Sequence, residues 1–572
     1  MSESLPAASR PAPSAGELAA TPPVHALRRV EVATLGGLFA VQLALRIGIA
    51  LRYPFDTDEP QHLHVAWAWT QGLVPYRDVF DNHAPLFHML MAPLAAAIGE
   101  QPEILLTMRL AMIPLAAVAL ACLYAIGRTL FEARVGLWAA AIVGLMPSFL
   151  LTSVEFRADD LWTVLWLAAL AVGIGDPLRA GRTFAAGLLF GATFATSIKT
   201  ALLFFTLAAG VALAFALDPA RDRRLRDRRV WVSVLACAGG LLLPLAAGGA
   251  LFAALGALPE LLDCLFTNNL AVMALWDHRL LRVFLFVAGL PFIVVAGRTL
   301  LRRSSSRPLA RSALLVATLL FAATLKGFSP LDNPQDCMPL YPLLAIFGVA
   351  GLQAALERRS RVGGRGSASR VFVAIAATEV FLTVWVSRPW RDRTRFEIGL
   401  LRDVLHLTAP TDPVMDLKGE SVFRRRPFFY ALEAITQERF RRGELRDDIR
   451  ERLIATHTYV SVMDSERFPP VARRFLLENY VPVGHLRVAG KFLDIDRHAQ
   501  SEFAVELPGR YAILSPRGLV SGALDGSPLD GSRPLEAGRH TFAPSEPTAP
   551  LALVWADAAE RGYSPFHPNG PS

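Results

Sequence analysis

The chain has 572 residues, of which 53% are hydrophobic and 19% are charged. Its mean hydropathy is +0.37, well above that of an average soluble protein. The formal net charge of +8 comes largely from arginines in short loops beside apolar segments. That distribution is typical of membrane anchoring, and it argues against a nucleic-acid-binding protein.

Long apolar segments fill most of the first two thirds of the chain. A helix needs about 20 apolar residues to cross a hydrocarbon layer roughly 30 Å thick. Hydropathy predicts about eleven such spans, the first of which is expected to act as an uncleaved signal anchor. The predicted spans are 31–51, 104–127, 135–151, 161–175, 184–197, 202–217, 231–255, 280–300, 313–325, 339–356 and 371–386.

The predicted fold is therefore mainly α and polytopic, with a soluble C-terminal region. Residues 1–30 are rich in Pro, Ala and Ser and predict a disordered cytoplasmic tail. Residues 31–390 predict a membrane-embedded domain with a large first outer loop at 52–103. Residues 391–500 predict a soluble α/β region, and the alternating short strands of 501–572 predict a small β-sandwich or barrel.

Arginine placement predicts the orientation of the spans. The arginine-rich loops fall on one side if the spans alternate, and positively charged short loops stay in the cytoplasm. These loops are 128–134, 179–182, 221–229, 302–311 and 358–370. The acidic loops and everything after residue 390 are then expected to face the periplasm or the outside of a bacterial inner membrane.

The first outer loop contains the most informative stretch, 55–93, which reads FDTDEPQHLHVAWAWTQGLVPYRDVFDNHAPLFHMLMAP. Asp58 and Glu59 follow the first span. Acids at a span end often form a solvated loop. The sequence from Glu59 can also form an amphipathic helix on the membrane surface, which would hold Asp58 at the interface.

The next two outer loops carry charges of both signs. Arg157 and Asp159 lie in the second, where the alternatives are a local salt bridge and a site with an acidic wall and a cation for a phosphate. Lys199 lies in the third. A lysine at a span end can snorkel, but one on an outer face runs against positive-inside topology, and this favours an anionic partner.

Arg279 and Lys326 are further cations predicted on the outer face. Arginine can clamp a phosphate through paired N–H groups, whereas lysine supplies a mobile point charge. Cations and carboxylates at one membrane depth suit a substrate with a lipid tail, a phosphate and a polar head. A polyprenyl-phosphate sugar has this chemistry.

The string DEPQHLHVAW followed by GLVPYRDVFDNHAPLFHMLMAPL resembles the first outer loop of bacterial GT-C glycosyltransferases. These are related to the protein O-mannosyltransferases and the lipid A aminoarabinose transferase (family 39-like). Arg157-Ala158-Asp159 resembles their Arg-Pro-Asp element, with Ala158 in place of proline, and Lys199 resembles the lysine after their fifth span. The resemblance covers 31–356, although 333–339 lacks the family's basic or Arg-Tyr element.

This resemblance implies transfer of a sugar from a polyprenyl-phosphate donor to a lipid, glycan or protein acceptor, within membrane lipids and without nucleic acid. Asp58 is expected to be the general base, with Glu59 as its neighbour or substitute, and inversion at the anomeric carbon is expected. Cations are expected to stabilise the leaving phosphate. The residues expected to bind substrate are Arg157, Asp159, Lys199, Tyr76, Arg77, Asp78, His83, Arg279 and Lys326.

No cofactor or metal site is predicted. His62, His64, His83 and His88 are numerous, but their spacing is not diagnostic of a metal site, which leaves a divalent metal open. The alternative class is a non-enzymatic lipid or solute transporter, or a scaffold. Transporters place polar groups in the middle of the bilayer on broken helices. Here they cluster at span ends, which favours an interfacial enzyme.

Overall fold

A computed structural model of the chain describes residues 29–269, 308–328, 333–360, 367–494, 500–546 and 550–567. Helices form the part up to residue 387, and strands with short helices form the rest. The chain is thus a mainly helical membrane protein with a C-terminal α/β region, as the sequence predicts.

The first part contains both long and short helices. They are α1 (Arg29–Ala50), α2 (Asp58–Thr70), α3 (Leu86–Ile98), α4 (Ile104–Leu110), α5 (Ile113–Leu130), α6 (Ala133–Leu145), α7 (Pro147–Thr152), α8 (Ala158–Gly175), α9 (Ala180–Thr196), α10 (Thr200–Ala216), α11 (Arg221–Arg226), α12 (Arg228–Ala254), α13 (Leu258–Leu262), α14 (Pro308–Phe328), α15 (Leu340–Ser360) and α16 (Ser367–Ser387).

Each predicted span coincides with helix except 280–300, which lies outside the described residues. Within the described ranges, 7 helical segments are long and apolar enough to cross a membrane, and α3, α6 and α10 are shorter apolar helices. The first outer loop, predicted as 52–103, is itself largely helical because it contains α2 and α3.

Small residues let the helices α9 and α12 pack closely. A Cβ added to Gly187 would lie 2.1 Å from the carbonyl oxygen of Cys237, and one added to Gly240 would lie 2.2 Å from that of Phe184. Contacts this close leave room only for glycine, which is common where helices associate in membranes.

Arginine contacts mark one end of the bundle. Arg134, at the start of α6, donates to Glu31 at 2.8 Å and to Ser369 at 2.9 Å. The starts of α1, α6 and α16 therefore lie together. The loop that carries Asp58 follows the other end of α1.

The C-terminal region contains five helices and twelve strands in the described ranges. The helices are α17 (Arg395–Leu407), α18 (Ala434–Arg441), α19 (Ile449–Ala455), α20 (Pro470–Asn479) and α21 (Ala556–Glu560). The strands are β1 (Val414–Met415), β2 (Val460–Val462), β3 (Tyr480–Val483), β4 (Leu486–Leu493), β5 (Ser501–Val505), β6 (Gly509–Ser515), β7 (Gly518–Leu519), β8 (Gly522–Leu524), β9 (Ser527–Leu529), β10 (Ser532–Leu535), β11 (Gly538–Pro544) and β12 (Leu551–Trp555).

These strands form two sheets. The larger has 8 strands in the order β1-β2-β4-β12-β6-β10, with β3 on β4 and β7 on β6, and the smaller has the order β5-β11-β8-β9. Leu551 of β12 pairs with Leu493 of β4, so the larger sheet crosses the boundary predicted near residue 500. One hydrophobic core also runs from Leu400 to Tyr563. The structure therefore does not separate 391–500 from 501–572 into two cores.

Candidate functional site

Carboxylates organise the start of α2. The Asp58 backbone N–H donates to Asp56 Oδ1 at 2.9 Å, and the Asp56 backbone N–H donates to Glu59 Oε1 at 2.8 Å. Acids here also interact favourably with the positive end of the helix. The predicted helix is present, but Gln61 to Ala68 are buried, so α2 is a packed element of the protein and differs from the predicted surface helix.

Glu59 is completely buried and fully paired. Arg109 Nε donates to its Oε2 at 2.7 Å, and a second Arg109 nitrogen contacts its Oε1 at 2.5 Å. The Phe156 backbone N–H donates to Oε2 at 2.8 Å. Because both side chains of the ion pair have 0% exposure, Glu59 is placed to hold α2 against α4. This position does not favour contact with a substrate.

Asp58 is placed differently, with 18% of its side chain exposed. Its Oδ2 lies 2.6 Å from Arg157 Nη2, and its Oδ1 contacts Lys418 Nζ. Arg157 precedes α8, whereas Lys418 comes from the C-terminal region. The carboxylate therefore lies between the membrane-embedded part and the C-terminal region.

A chain of alternating charges continues from Asp58. Arg157 Nε lies 3.3 Å from Asp159 Oδ2, and Asp159 Oδ1 lies 3.3 Å from Lys199 Nζ. Lys199 Nζ also lies 2.6 Å from Asp336 Oδ1. We call the series Lys418, Asp58, Arg157, Asp159, Lys199 and Asp336 the ion-pair chain. It brings together four residues predicted for the site with two that were not.

The electrostatics of this chain keep Asp58 ionised. Burial alone would raise the pKa of Asp58, but the positive charges of Arg157 and Lys418 hold it well below its ordinary value. The carboxylates around Arg157 outweigh burial and raise the pKa of its guanidinium. Lys199 is the most open cation of the ion-pair chain, with 41% of its side chain exposed. It is the best placed of the three to meet a ligand.

Tyr76, Arg77 and Asp78 form a tight turn. Tyr76 has a φ of 72°, is buried, and donates its hydroxyl to the His83 carbonyl at 2.7 Å. Arg77 pairs with Asp78 at 2.9 Å, and Asp78 accepts from the Val74 backbone N–H at 2.8 Å. Within the described residues no ion pair or hydrogen bond joins these three side chains to the ion-pair chain, so their contacts favour a role in shaping the loop.

His83 belongs to a cluster of histidines around Asp81. His83 Nδ1 lies 3.0 Å from Asp81 Oδ1, and His88 Nδ1 lies 3.1 Å from Asp81 Oδ2. His62 Nδ1 lies 2.8 Å from His88 Nε2. Burial, followed by the neighbouring His83 and His88, lowers the pKa of His62 well below its ordinary value.

Hydrogen bonds join the side chains of the cluster to one another. The direct nitrogen-to-nitrogen contact between His62 and His88 has the length of a hydrogen bond. Across the described part of the chain, no group of three or more His, Cys, Asp or Glu side chains is arranged to hold a metal.

Sequence reasoning missed several members of the site. Lys418 and Glu433 approach from the C-terminal region, with Lys418 Nζ 3.3 Å from Glu433 Oε2. Asp336 lies in the segment 333–339, which departs from the family pattern, and Arg109 lies within the predicted span 104–127. Asp336 and Arg109 could have been noticed as charges beside or inside apolar segments. Arg279 and the side chain of Lys326, also predicted for the site, lie outside the described residues.

Comparison with known proteins identifies the architecture. Residues 82–246 match the family model of dolichyl-phosphate-mannose-protein mannosyltransferases. The crystal structure of ArnT from Cupriavidus metallidurans bound to undecaprenyl phosphate aligns with a TM-score of 0.53 at 13% identity, over 80% of this chain and 98% of that one. The chain has the GT-C glycosyltransferase fold.

The match in fold does not depend on the ligand of the compared structure. The apo state of the same ArnT aligns with a TM-score of 0.51 at 14% identity, over 80% of this chain and 98% of that one. No curated protein matches the chain significantly. The resemblance to GT-C enzymes of the mannosyltransferase and ArnT group, predicted from the first outer loop and Arg157-Ala158-Asp159, is thus confirmed.

Proposed function

We propose that this protein is a membrane glycosyltransferase that moves a sugar from a polyprenyl-phosphate donor to a lipid, glycan or protein acceptor. We further propose that it acts on the outer face of a bacterial inner membrane, with its C-terminal region in the periplasm or outside the cell. The observation that carries the proposal is the ion-pair chain from Asp58 through Arg157 and Asp159 to Lys199. It combines a carboxylate for proton transfer with cations for a phosphate at one end of the helix bundle.

The chemistry of sugar transfer accounts for both kinds of group. The acceptor oxygen or nitrogen forms a bond to the anomeric carbon while the bond from that carbon to the phosphate oxygen breaks. The bonding electron pair leaves with the polyprenyl phosphate, whose added negative charge Lys199 and Arg157 would stabilise. The acceptor proton goes to Asp58, which acts as the general base. A single displacement of this kind inverts the anomeric carbon.

Geometry favours Asp58 over Glu59 as the base. The Glu59 side chain has 0% exposure in its pair with Arg109, so an acceptor has no access to its carboxylate. Asp58 is partly exposed and adjoins Arg157. Arg157 would then hold the carboxylate in place and also face the leaving phosphate.

The fold and family match support the donor class. The ArnT structure of the same fold was crystallised with undecaprenyl phosphate, and the matched family is described by its dolichyl-phosphate-mannose donors. We infer a donor with a polyprenyl-phosphate carrier for this chain too. Arg134, which contacts Glu31 at the start of α1 while Asp58 follows the end of α1, supports the proposed orientation.

The test is sugar transfer by the purified full-length protein in lipid nanodiscs, together with binding of undecaprenyl phosphate in detergent. We expect saturable binding of undecaprenyl phosphate and the formation of a glycosylated product from a polyprenyl-phosphate sugar. A protein that neither binds the lipid phosphate nor turns over such a donor would contradict the proposal. That result would favour the non-enzymatic transporter or scaffold.

A further inference from the structure

Lys418 is presented to Asp58 by a short loop of the C-terminal region, Asp416–Val422, which we call the Lys418 loop. Asp416 accepts from the backbone N–H groups of Gly419 and Ser421, both at 3.0 Å, and from the Ser421 hydroxyl at 2.6 Å. Glu420 accepts from the Lys418 backbone N–H at 2.7 Å. The two acids of the loop therefore fix its backbone around the lysine.

The Lys418 loop also packs directly on α2. Gly419 has a φ of 111°, and a Cβ added there would lie 3.1 Å from Gln61 Cα. Val422 has a φ of 47°, an unfavourable value for a β-branched residue, and its carbonyl oxygen lies 2.6 Å from His64 Nδ1. A strained backbone held against the helix that carries Asp58 suggests that the position of Lys418 has a function.

The contacts of Asp58 create a conflict with its role as a base. Lys418 contacts Oδ1 and Arg157 lies 2.6 Å from Oδ2, so each carboxylate oxygen is already paired with a cation, which makes it a weaker base. Burial opposes the effect of these cations, but together they keep the pKa of Asp58 low. Departure of one cation would free an oxygen of Asp58 and raise its basicity.

Lys418 is the cation better able to leave. Arg157 contacts Asp56 and Asp159 as well as Asp58, and its planar guanidinium is fixed by these several carboxylates. Lys418 has one further partner, Glu433 at 3.3 Å, and its ammonium is a mobile point charge on a flexible stem. Asn82 Nδ2 donates to the other oxygen of Glu433 at 3.1 Å, which holds that carboxylate beside the lysine.

We propose that Lys418 moves from Asp58 to the phosphate of the bound donor and thereby frees Asp58 Oδ1 to take the acceptor proton. This inference rests on the proposed function. Lys418 is then a phosphate-binding residue supplied by the C-terminal region. Asp58 becomes able to accept a proton only when donor is bound. After transfer the lysine returns to Asp58 when the polyprenyl phosphate leaves.

The first experiment measures binding of undecaprenyl phosphate to the full-length wild type and to Lys418→Met, which keeps the length of the stem and removes the charge. We expect the variant to bind about tenfold to a hundredfold more weakly, as for loss of one charge-assisted contact. Lys418→Arg should recover most of the affinity. Lys491→Met is the matched control, because Lys491 lies in the same region and contacts the Ala504 carbonyl. Equal affinity of wild type and Lys418→Met would overturn the proposal.

The second measurement is the pH profile of transfer. The charged or titratable groups that face Asp58 are Arg157, Lys418, His83 and Asp56. The wild type and Lys418→Met differ only in Lys418. In Lys418→Met the acidic limb of kcat/KM, which reports the free enzyme, should move to higher pH. The acidic limb of the kcat profile, which reports the enzyme with bound donor, should not move, because Lys418 has already left Asp58 in that complex. An equal shift of the acidic limbs of kcat/KM and kcat would contradict the proposed movement of Lys418 from Asp58 to the phosphate.

A structure of the wild type with undecaprenyl phosphate makes the test independent of whether the variant folds. Lys418 Nζ is expected within hydrogen-bonding distance of the phosphate and away from Asp58, and a lysine still on Asp58 would overturn the inference. If the wild type fails to bind the lipid phosphate, the proposed function itself fails. If the wild type and Lys418→Met bind it equally, only the inference about Lys418 fails.

Discussion

Arg157 holds Asp58 at 2.6 Å while its Nε lies 3.3 Å from Asp159. One guanidinium therefore orders two carboxylates, and the second of these pairs with Lys199. Removing Arg157 would leave both carboxylates without this counter-charge, which is costly for buried groups. The consequences can be measured residue by residue.

Asp58→Asn is expected to reduce transfer by a factor of about 10² to 10⁴, because the amide is nearly isosteric but cannot accept the acceptor proton. Binding of undecaprenyl phosphate should persist, because the cations remain. Turnover of a polyprenyl-phosphate sugar by the purified variant in nanodiscs checks this. Near-normal turnover would exclude Asp58 as the base.

Glu59→Gln is expected to destabilise the protein by roughly 3–5 kcal/mol, because it leaves the charge of Arg109 buried without a counter-charge. The matched control is Glu103→Gln, whose partner Arg402 is 62% exposed in a surface pair. A surface pair of that kind contributes about 0–1 kcal/mol. Thermal unfolding of both variants in detergent provides the comparison. Equal midpoints would contradict a structural role for Glu59.

Lys199→Ala is expected to weaken donor binding by about tenfold to a hundredfold while leaving acceptor binding largely unchanged. The reason is that Lys199 is the open cation of the ion-pair chain, with 41% exposure. Lys491→Ala serves as the control for loss of a lysine outside the site. If Lys199→Ala binds undecaprenyl phosphate as well as the wild type does, Lys199 is a snorkelling residue.

Asp81 should make stability depend on pH. Burial would raise its pKa, but His88 and His83 lower it below the ordinary value. A carboxyl group with a lowered pKa stabilises the folded state above its unfolded pKa of about 3.9, and this stabilisation is lost as pH falls through the folded value. Asp81→Asn should therefore lower the unfolding temperature at neutral pH, with a difference that shrinks below pH of about 4. A difference that is constant with pH would contradict this assignment.

Topology can be tested with reporter fusions at Gly364 and Gly509. The predicted alternation of spans puts Gly364 in the cytoplasm and Gly509 on the opposite side. A pair of reporters, one active only in the cytoplasm and one only outside it, should give opposite signals at the two sites. The same sidedness at both would require a different number of spans between them.

The spans were predictable because a membrane helix satisfies its own backbone hydrogen bonds. A local run of apolar residues is therefore enough to define it, and the predicted spans 31–51 and 371–386 coincide with α1 and α16. The helix α2 was also predictable from its local pattern. Its burial was not, because the residues that cover it, including Gly419, are distant in the chain.

The sequence by itself determined the membrane class, most of the helices and four charged residues of the candidate site, Asp58, Arg157, Asp159 and Lys199. Only the tertiary structure decided their partners. Arg109 meets Glu59 across 50 positions and Lys418 meets Asp58 across 360, and no local pattern encodes such a pairing. The physical reason is that an ion pair acts over a few ångströms of space. Two carboxylates adjacent in sequence can therefore differ entirely: Glu59 is enclosed with a buried arginine, and Asp58 is left at the edge of the site.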